Sequence, residues 1–348
     1  MRQPKNHGGW GIAFSIFFIF SIFFLLGTSP LNGFAEDDSK TDNKVSFDAQ
    51  AVLPENQQSE ASYYDLKVAP GSSQKLVLKL RNTSTKDIKV NVEANNGVTN
   101  QNGAIDYSKH GEKLLGGPSF EELISKSQKI SLKPEEEKDV TFELKIPKAG
   151  FDGTVLGGFY CYEDTEGKEE QSKGFTLNNK FAYTIGAKLI CSGKKVQPDF
   201  ALTKVTPGLD NGYLTVFADL ENSQPILMSK LDMHATVTKK GQKDVLKEMN
   251  KKVSFAPRTK FSLPISWNND PLKKGTYELV IDLKNDEGKT WQLKKDFEIK
   301  GKDEELNTKA VEVNKEKDNT FIYVIAALFL VIILVLVGYI YNMKRKKQ

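Results

Sequence analysis

Apolar and polar residues alternate with a period of two along most of the chain. The clearest runs cover 76–80, 88–92, 140–146, 214–220, 261–267 and 277–283. Such alternation is typical of β-strands with one face on a core and the other in water. Tight-turn sequences lie near these runs, at APGS (69–72), LDNG (209–212) and NDEG (285–288). We therefore expect an all-β protein built from antiparallel strands.

One short helix interrupts this pattern. The sequence SFEELISKS (119–127) offers Ser119 as an N-cap, and Glu122 three residues later completes a capping box. Elsewhere, polar segments rather than helical periods join the strands. This arrangement favours sandwiches over a parallel sheet.

The two halves of the chain share a faint repeat. Pro134 precedes VTFELKIP (140–147), and Pro257 precedes FSLPIS (261–266). Before each comes a strand that ends in asparagine and a small polar residue, LKLRNTS (78–84) and FADLENS (217–223). We interpret this as two immunoglobulin-like β-sandwich domains in tandem, at 45–193 and 194–300. About 280 residues suffice for two such domains.

The N-terminus has the order of a secretory signal peptide. Arg2 and Lys5 precede an apolar run at 12–26, and the small residues Gly33 and Ala35 precede an acidic segment. We assign residues 1–35 to this peptide. An uncleaved N-terminal anchor is the alternative, although the apolar run is short for a membrane span.

The C-terminus has the composition of a membrane anchor. Residues 321–341 carry no charge, and a basic tail at 343–348 follows. The prediction is a transmembrane helix at 320–342, long enough for the hydrocarbon core, above a charged stalk at 301–318. Because positive residues stay on the cytoplasmic side, the chain is expected to be a single-pass type I protein of the cell membrane, with a cytoplasmic C-terminus.

The charge balance of the chain indicates which classes of partner are expected. The chain has 49 Lys and Arg against 45 Asp and Glu. Without the six basic residues of the two ends, 43 positive charges face 45 negative ones in 36–318, so nucleic acid is not an expected partner.

Cys161 and Cys191 are predicted to be free and buried, because a hairpin of 155–162 with 175–190 would place Cys161 opposite a residue near Thr176, far from Cys191.

Catalytic chemistry finds little support in the sequence. His110 and His234 are far apart, and the sequence contains no H-E-x-x-H, no G-x-S-x-G, no S-x-x-K with its partner motifs and no EF-hand loop. We therefore predict no catalytic residue, no metal site and no cofactor.

Aromatic residues gather in the first half of the chain and could stack on sugar rings; the alternative is that they fill the sandwich core. The loop TNQNGAIDYS (99–108) is a second candidate binding segment. It contains the turn signal Asn-Gly, but its other polar residues are not needed for a turn. The predicted binding residues are Thr99, Asn100, Asp106, Tyr107, Tyr63, Tyr64, Phe151 and Asp152.

Longer stretches resemble a known family. YYDLKVAPGSSQKLVLKLRNTSTKDIKVNVEANNGVTNQNGAIDYS (63–108), FDGTVLGGFYCYE (151–163) and FAYTIGAKL (181–189) resemble the N-terminal domain of the WxL-interacting proteins of Gram-positive bacteria. VQPDFALTKVTPG (196–208) and VFADLENSQPILMSKLDMHATV (216–237) resemble the C-terminal domain of that family. The two cysteines depart from the family pattern.

The resemblance implies a non-enzymatic adhesion and assembly protein of the cell surface. Its first domain would bind peptidoglycan, its second would bind host extracellular components, and WxL-domain proteins would be partners in surface complexes. Two alternatives stay open: a cell-wall glycan hydrolase with a carboxylate pair, which needs a cleft, and a strand-donating surface chaperone, which needs an open sheet edge.

Overall fold

The structure is a computed structural model that describes residues 45–165, 181–314 and 320–345. The predicted signal peptide lies outside these residues. The described residues from 45 onward belong to one compact unit. The predicted all-β class is confirmed: two sandwiches of immunoglobulin-like topology make up most of this unit.

The first sandwich packs a three-stranded sheet, in the order β1-β3-β8, on a five-stranded sheet, in the order β2-β10-β9-β4-β7. Its strands are β1 (Phe47–Val52), β2 (Tyr64–Lys67), β3 (Ser73–Asn82), β4 (Ile88–Asn96), β7 (Gln128–Leu132), β8 (Glu137–Lys145), β9 (Thr154–Glu163) and β10 (Ala182–Ile190). One pair departs from the antiparallel expectation. Strand β2 runs parallel to β10, because residues 53–63 carry the chain from one sheet to the other.

The second sandwich repeats this plan with seven strands. The sheet β11-β12-β15 packs on the sheet β14-β13-β16-β17. Its strands are β11 (Phe200–Asp210), β12 (Tyr213–Asn222), β13 (Met228–Lys239), β14 (Val245–Phe255), β15 (Thr259–Ser266), β16 (Gly275–Lys284) and β17 (Thr290–Ile299). In both sandwiches the alternating apolar residues predicted from the sequence are buried and form one core cluster each.

A buried asparagine marks the same corner of each sandwich. Asn82 ends β3 and Asn222 ends β12, and both side chains are 0% exposed. The Asn82 amide donates to the carbonyls of Lys86, Leu132 and Lys133. The Asn222 amide donates to two carbonyls, those of Ile226 and Ala256. The sequence repeat therefore reflects a repeated hydrogen-bonded corner.

The first sandwich carries an insertion between β4 and β7. It contains the two-stranded ribbon β5 (Val98–Thr99) with β6 (Ile105–Asp106), and the helix α1 (Phe120–Leu123). The predicted capping box is confirmed, since Ser119 Oγ accepts from Glu122 N and the Glu122 carboxylate accepts from Ser119 N. The helix has one turn and then ends, because Ile124 enters extended backbone and bridges to Leu144 of β8.

The charged segment after β17 is not a free stalk through residue 314. It forms a 3₁₀ helix (Gly301–Glu305) and the helix α2 (Leu306–Lys309), and its apolar residues Leu306, Ala310 and Val313 pack on the second core. Asn307 exchanges two hydrogen bonds with the Leu272 backbone. Regularly spaced apolar residues hidden among charges account for the difference from the prediction.

The predicted membrane anchor is corrected by the structure. Helix α3 (Thr320–Arg345) occurs at the predicted place, and its side chains are described for 324–338. A membrane span needs about 20 consecutive apolar residues. Within the residues that the structure describes, no helix meets the length and apolarity needed for a crossing. This finding contradicts the expected single-pass type I localisation and the membrane as a partner.

Candidate functional site

Tyrosines cover the outward face of the five-stranded sheet. Along β9, Phe159 and Cys161 point into the core, whereas Tyr160 and Tyr162 point outward and are half-buried. The centroids of the two outward rings lie 5.3 Å apart, at an interplanar angle of 40°. We call the surface formed by Tyr63, Tyr107, Tyr160 and Tyr162 the tyrosine face.

Glycines allow Tyr107 to lie against the sheet. Gly158 of β9 pairs with Gly186 of β10, and a Cβ on Gly158 would lie 2.8 Å from Tyr107 Cδ1. A Cβ on Gly97 would lie 2.9 Å from Tyr107 Cε1. Glycine inside a strand often marks such a close approach. Burial against the sheet raises the pKa of Tyr107 to about 12.

Polar side chains border the rings. The Tyr162 hydroxyl donates to Glu93 Oε1 at 2.9 Å, and burial together with this carboxylate raises the pKa of Tyr162 to about 12. Asn95 Nδ2 donates to the Tyr107 carbonyl at 2.8 Å, and Asn95 Oδ1 lies 2.9 Å from His110 Nδ1. The Asn95 side chain is fully buried and fixes the position of Tyr107. Aromatic rings with an adjacent carboxylate can stack on a sugar ring and hydrogen-bond its hydroxyls.

The predicted aromatic residues divide between this face and the core. Tyr63 is 41% exposed and lies beside Gly186, next to Tyr107. Tyr64 is fully buried, with its hydroxyl donating to the Val77 carbonyl, and Phe151 is 8% exposed. These two side chains fill the core, so they present no open ring face to a ligand.

Asp152 is exposed and has partners within its own domain. Its carboxylate accepts from Ser192 Oγ at 2.9 Å and from Lys194 Nζ at 2.8 Å. These hydrogen bonds, with that of Lys194 first, hold the pKa of Asp152 below its ordinary value. The ion pair joins the loop before β9 to the segment after β10.

The polar residues of the 99–108 loop shape the loop itself. Asn100 Oδ1 accepts from the backbone N–H of Asn102 and of Ala104, and Asp106 Oδ1 accepts from Ser108 N. The predicted turn is confirmed: Gly103 has φ +69° and its N–H donates to the Asn100 carbonyl. A ligand role for Asn100 and Asp106 stays a prediction.

Thr99 lies where the insertion of the first sandwich meets the second sandwich. It is 4% exposed, its Oγ1 accepts from Ala256 N at 2.8 Å, and its hydroxyl donates to the Ser254 carbonyl at 3.1 Å. Ser254 N in turn donates to the Gly103 carbonyl at 2.7 Å. The loop that the sequence marked for ligand binding is thus a joint between the two sandwiches.

Further contacts extend this joint. Leu115 N donates to the Arg258 carbonyl, and Thr154 N donates to the Pro225 carbonyl, both at 2.7 Å. The Arg258 guanidinium donates to the Pro118 carbonyl, and burial lowers the pKa of Arg258. Backbone groups from two sandwiches therefore satisfy one another directly.

Both cysteines are free thiols, Cys161 buried and Cys191 half-buried. The hairpin pairing of β9 with β10 occurs, but Cys161 faces Tyr183 rather than a residue near Thr176. The register differs because β10 begins only at Ala182. Cys191 lies eight residues beyond Tyr183, so at about 3.3 Å per residue the two cysteines are about 26 Å apart along the sheet. Burial raises the pKa of the Cys161 thiol to about 12.

Glu93, Asn95 and His110 were not predicted as site residues. The strand glycines were the available signal, since Gly157, Gly158 and Gly186 sit inside strongly apolar strands and indicate that something lies close to the sheet. Metal ligation has no support here: no group of three or more His, Cys, Asp or Glu suited to a metal ion occurs among the described residues.

Hydrogen bonds between side chains and backbone groups join the two sandwiches, and tyrosine rings cover one outward sheet face of the first. These features define a two-domain binding protein of immunoglobulin-like fold. Family models agree with this class. The WxL Interacting Protein peptidoglycan binding domain matches residues 47–163, and the WxL Interacting Protein host binding domain matches residues 172–309. The chain belongs to the WxL-interacting protein family, as its sequence indicated, and both matching families are binding domains rather than enzymes.

Comparison with solved structures gives matches to fimbrial chaperones at low TM-scores. A chaperone–tip adhesin complex of CFA/I fimbriae is 9% identical, covers 71% of this chain and 98% of its own, and has a TM-score of 0.32. The class 5 fimbriae chaperone CfaA is 10% identical, with coverage of 72% and 98% and a TM-score of 0.29. The CupB2 chaperone of Pseudomonas aeruginosa is 13% identical, with coverage of 66% and 96% and a TM-score of 0.25. Such scores say nothing about what this chain binds. No curated protein matches it.

Proposed function

We propose that this chain is a non-enzymatic surface-binding protein that holds peptidoglycan on the tyrosine face of its first sandwich and partner proteins on its second. One observation carries the proposal: the domain that matches a peptidoglycan-binding family presents tyrosines, backed by strand glycines, on an outward sheet face. Sugar rings have apolar faces and a rim of hydroxyls. The rings of Tyr160 and Tyr162 suit the former, and the half-buried carboxylate of Glu93 suits the latter.

Charged side chains on the second sandwich support a polar protein-binding surface. The outward face of β13, β14 and β16 carries His234 Nε2 at 3.0 Å from Glu248 Oε1 and Lys252 Nζ at 2.6 Å from Asp232 Oδ1. Exposed pairs of this kind contribute little to stability and can exchange partners with a second charged surface. The proposed partners of this domain are host extracellular components and WxL-domain proteins.

The peptidoglycan assignment is tested by binding to purified, insoluble peptidoglycan. The double variant Tyr160→Ala with Tyr162→Ala removes two outward rings. We expect each lost ring to weaken binding by about threefold to tenfold, the equivalent of roughly 0.5–1.5 kcal/mol per aromatic contact. Apparent affinity is read from depletion of the full chain from solution at increasing amounts of peptidoglycan.

The matched control is Tyr213→Ala in the second sandwich. Tyr213 is 43% exposed, close to the 41% of Tyr63, but lies on β12 outside the tyrosine face. Its loss is expected to leave peptidoglycan binding unchanged. Equal retention of the double variant and the wild type would rule out the tyrosine face as the glycan site.

The same purified peptidoglycan also tests the alternative that the chain is a glycan hydrolase. A hydrolase would release soluble reducing ends from peptidoglycan over hours, whereas a binding protein leaves the polymer intact. We expect no release above a boiled sample.

A further inference from the structure

Strand β4 has an edge without a strand neighbour where the insertion begins, which we call the open edge; the insertion buries Ala94, Asn95 and Asn96 there. It pairs with β9 from Val90 to Asn96, but with β7 only from Ile88 to Val92. Among the residues that the structure describes, 94–96 therefore have a strand neighbour on one side only. An open strand edge can accept another extended chain.

A cavity of about 940 Å³ lies along this edge. Ala94 and Asn96 line it on the strand side, and Glu121, Ser125 and Ser127 line it on the opposite side. Ligand sites in proteins commonly have about 300–1,000 Å³. The space beside β4 therefore has the size of a binding site rather than of a packing defect.

Side chains occupy the hydrogen-bonding places of the missing strand. Ala94 N donates to Ser127 Oγ at 3.2 Å, and Asn96 N donates to Glu121 Oε1 at 3.1 Å. Residues two apart in a strand present their N–H groups to the same edge, so these two oxygens stand where successive carbonyls of a neighbouring strand would lie. Both distances are at the long end of the usual range. The Ser127 hydroxyl can rotate away, whereas the Glu121 carboxylate also accepts from Gly111 N and would have to give up that bond as well.

The cavity adjoins the tyrosine face. His110 lines the cavity, and its Nδ1 lies 2.9 Å from Asn95 Oδ1. Asn95 Nδ2 donates to the carbonyl of Tyr107, whose ring forms part of the tyrosine face. A ligand that combines sugar rings with an attached peptide could lie across both surfaces at once.

Charges around the cavity are mixed. Glu112 and Glu122 line it together with Lys113 and Lys126. A short peptide with both an amino group and carboxylates is complementary to such a lining, whereas a glycan without its stem has no cationic group to match the acidic side chains.

We propose that the open edge of β4 binds the peptide stem of peptidoglycan as an added strand, beside the sugar rings on the tyrosine face. The inference rests on the proposed function. The incoming carbonyls would displace Ser127 Oγ and Glu121 Oε1 from the N–H groups of Ala94 and Asn96. Recognition would then extend to the peptide branch as well as the glycan.

Three soluble probes separate the contributions: a peptidoglycan disaccharide with its peptide stem, the same disaccharide without the stem, and the stem peptide alone. Titration of the full chain by calorimetry gives each affinity. We expect the stem to tighten binding of the disaccharide by about tenfold, from a few added main-chain hydrogen bonds.

Variants at Ser127 locate the effect. Ser127→Trp fills the cavity and is expected to reduce the affinity for the complete fragment to that for the bare disaccharide. Ser127→Ala removes only the competing hydroxyl and is expected to tighten binding of the complete fragment. Ser131→Trp is the matched control, because Ser131 is exposed on β7 outside this cavity. Thermal unfolding of each variant verifies that it folds.

The outcomes distinguish this inference from the function on which it rests. Equal affinity of wild type for the disaccharide with and without its stem overturns the peptide site and leaves the glycan site standing. Binding of the stem peptide but not of the disaccharide overturns the glycan site and leaves the open edge standing. Failure of all three probes to bind overturns both. A stem effect that survives in Ser127→Trp also overturns the site at β4.

Discussion

The two sandwiches share one plan and differ in what is inserted into it. Each has a buried asparagine at the end of one core strand, Asn82 at the end of β3 and Asn222 at the end of β12. Between the strands that follow this corner, the second sandwich turns directly from β13 to β14, whereas the first inserts residues 97–127. That insertion contributes Tyr107 to the tyrosine face, lines the β4 cavity and contacts the second sandwich. The repeated strands therefore form the fold and carry Tyr160 and Tyr162, and the insertion completes the candidate site beside them.

The largest effect is expected where the sandwiches are alike. Asn82→Asp and Asn222→Asp keep the size of the side chain but replace an amide donor with an oxygen that faces carbonyls. Each buried group left without a partner costs about 1–3 kcal/mol. We expect a loss of roughly 3–4 kcal/mol for Asn82, which has three carbonyl partners, and of roughly 2–3 kcal/mol for Asn222, which has two. Urea unfolding followed by circular dichroism measures both, and tryptophan fluorescence adds a signal from the second sandwich, which contains Trp267 and Trp291.

Asn268→Asp is the control for these substitutions, since Asn268 is exposed in the loop after β15 and has a positive φ that Asp tolerates. It is expected to change the free energy of unfolding by less than about 0.5 kcal/mol. Small effects at both corners would show that the repeat is a coincidence of sequence.

The two asparagine corners could be predicted from the sequence because the same sequence pattern occurs in both halves of the chain. The alternation of apolar residues likewise predicted the strands and the cores, and the spacing of Ser119 and Glu122 predicted the capping box. Local chemistry determines these features, so a single sequence contains enough information to predict them.

The sequence did not indicate which tyrosines lie on the outward sheet face and which lie in the core. Residues 159–162 are Phe, Tyr, Cys and Tyr, so aromatic residues occur at both parities of the strand and the pattern does not say which face is outward. The joint at Thr99 was hidden for another reason. Its partners Ser254 and Ala256 are more than 150 residues away and act through backbone groups, which leave no trace in side-chain periodicity.

A middle-sized effect is expected where the sandwiches meet. Thr99→Val preserves shape but removes the hydroxyl that bonds Ala256 N and the Ser254 carbonyl. We expect a loss of about 2 kcal/mol, since two buried backbone groups lose a partner. Hydrogen exchange should accelerate at Ala256 and in the 97–106 ribbon more than in either core. The matched control is Thr203→Val, because the exposed Thr203 hydroxyl bonds the Asp219 carbonyl within one sheet. Equal exchange in both variants would mean that the joint does not depend on Thr99.

The smallest effect is expected from a comparison of two carboxylates that each bond a neighbouring segment of the chain. They are Asp152 in the first sandwich and Asp270 in the second. Asp270 accepts from Asn314 Nδ2 at 2.9 Å and from Lys247 Nζ, whose side chain is 5% exposed and lies 5.5 Å from the Trp267 ring. The hydrogen bonds from Asn314 and Lys247 hold the pKa of Asp270 below its ordinary value. A carboxyl whose pKa is lower in the folded state stabilises that state at any pH above its unfolded pKa, about 3.9, and the stabilisation is lost as the pH falls through the lower folded value.

We therefore expect acid below about pH 4 to loosen the segment 301–314 from the second sandwich. Asp270→Asn should loosen it already at neutral pH, because it leaves the buried ammonium of Lys247 without its carboxylate, and should flatten the remaining acid dependence. Amide exchange at Val311 and Asn314, whose N–H groups bond the carbonyls of Gly212 and Asn269, measures the effect. Asp152→Asn is the control, since the Asp152 carboxylate and its partner Lys194 are both largely in water and their pairing is screened. If both variants, or neither, loosened their segments, burial of the lysine would not be what distinguishes the two sites.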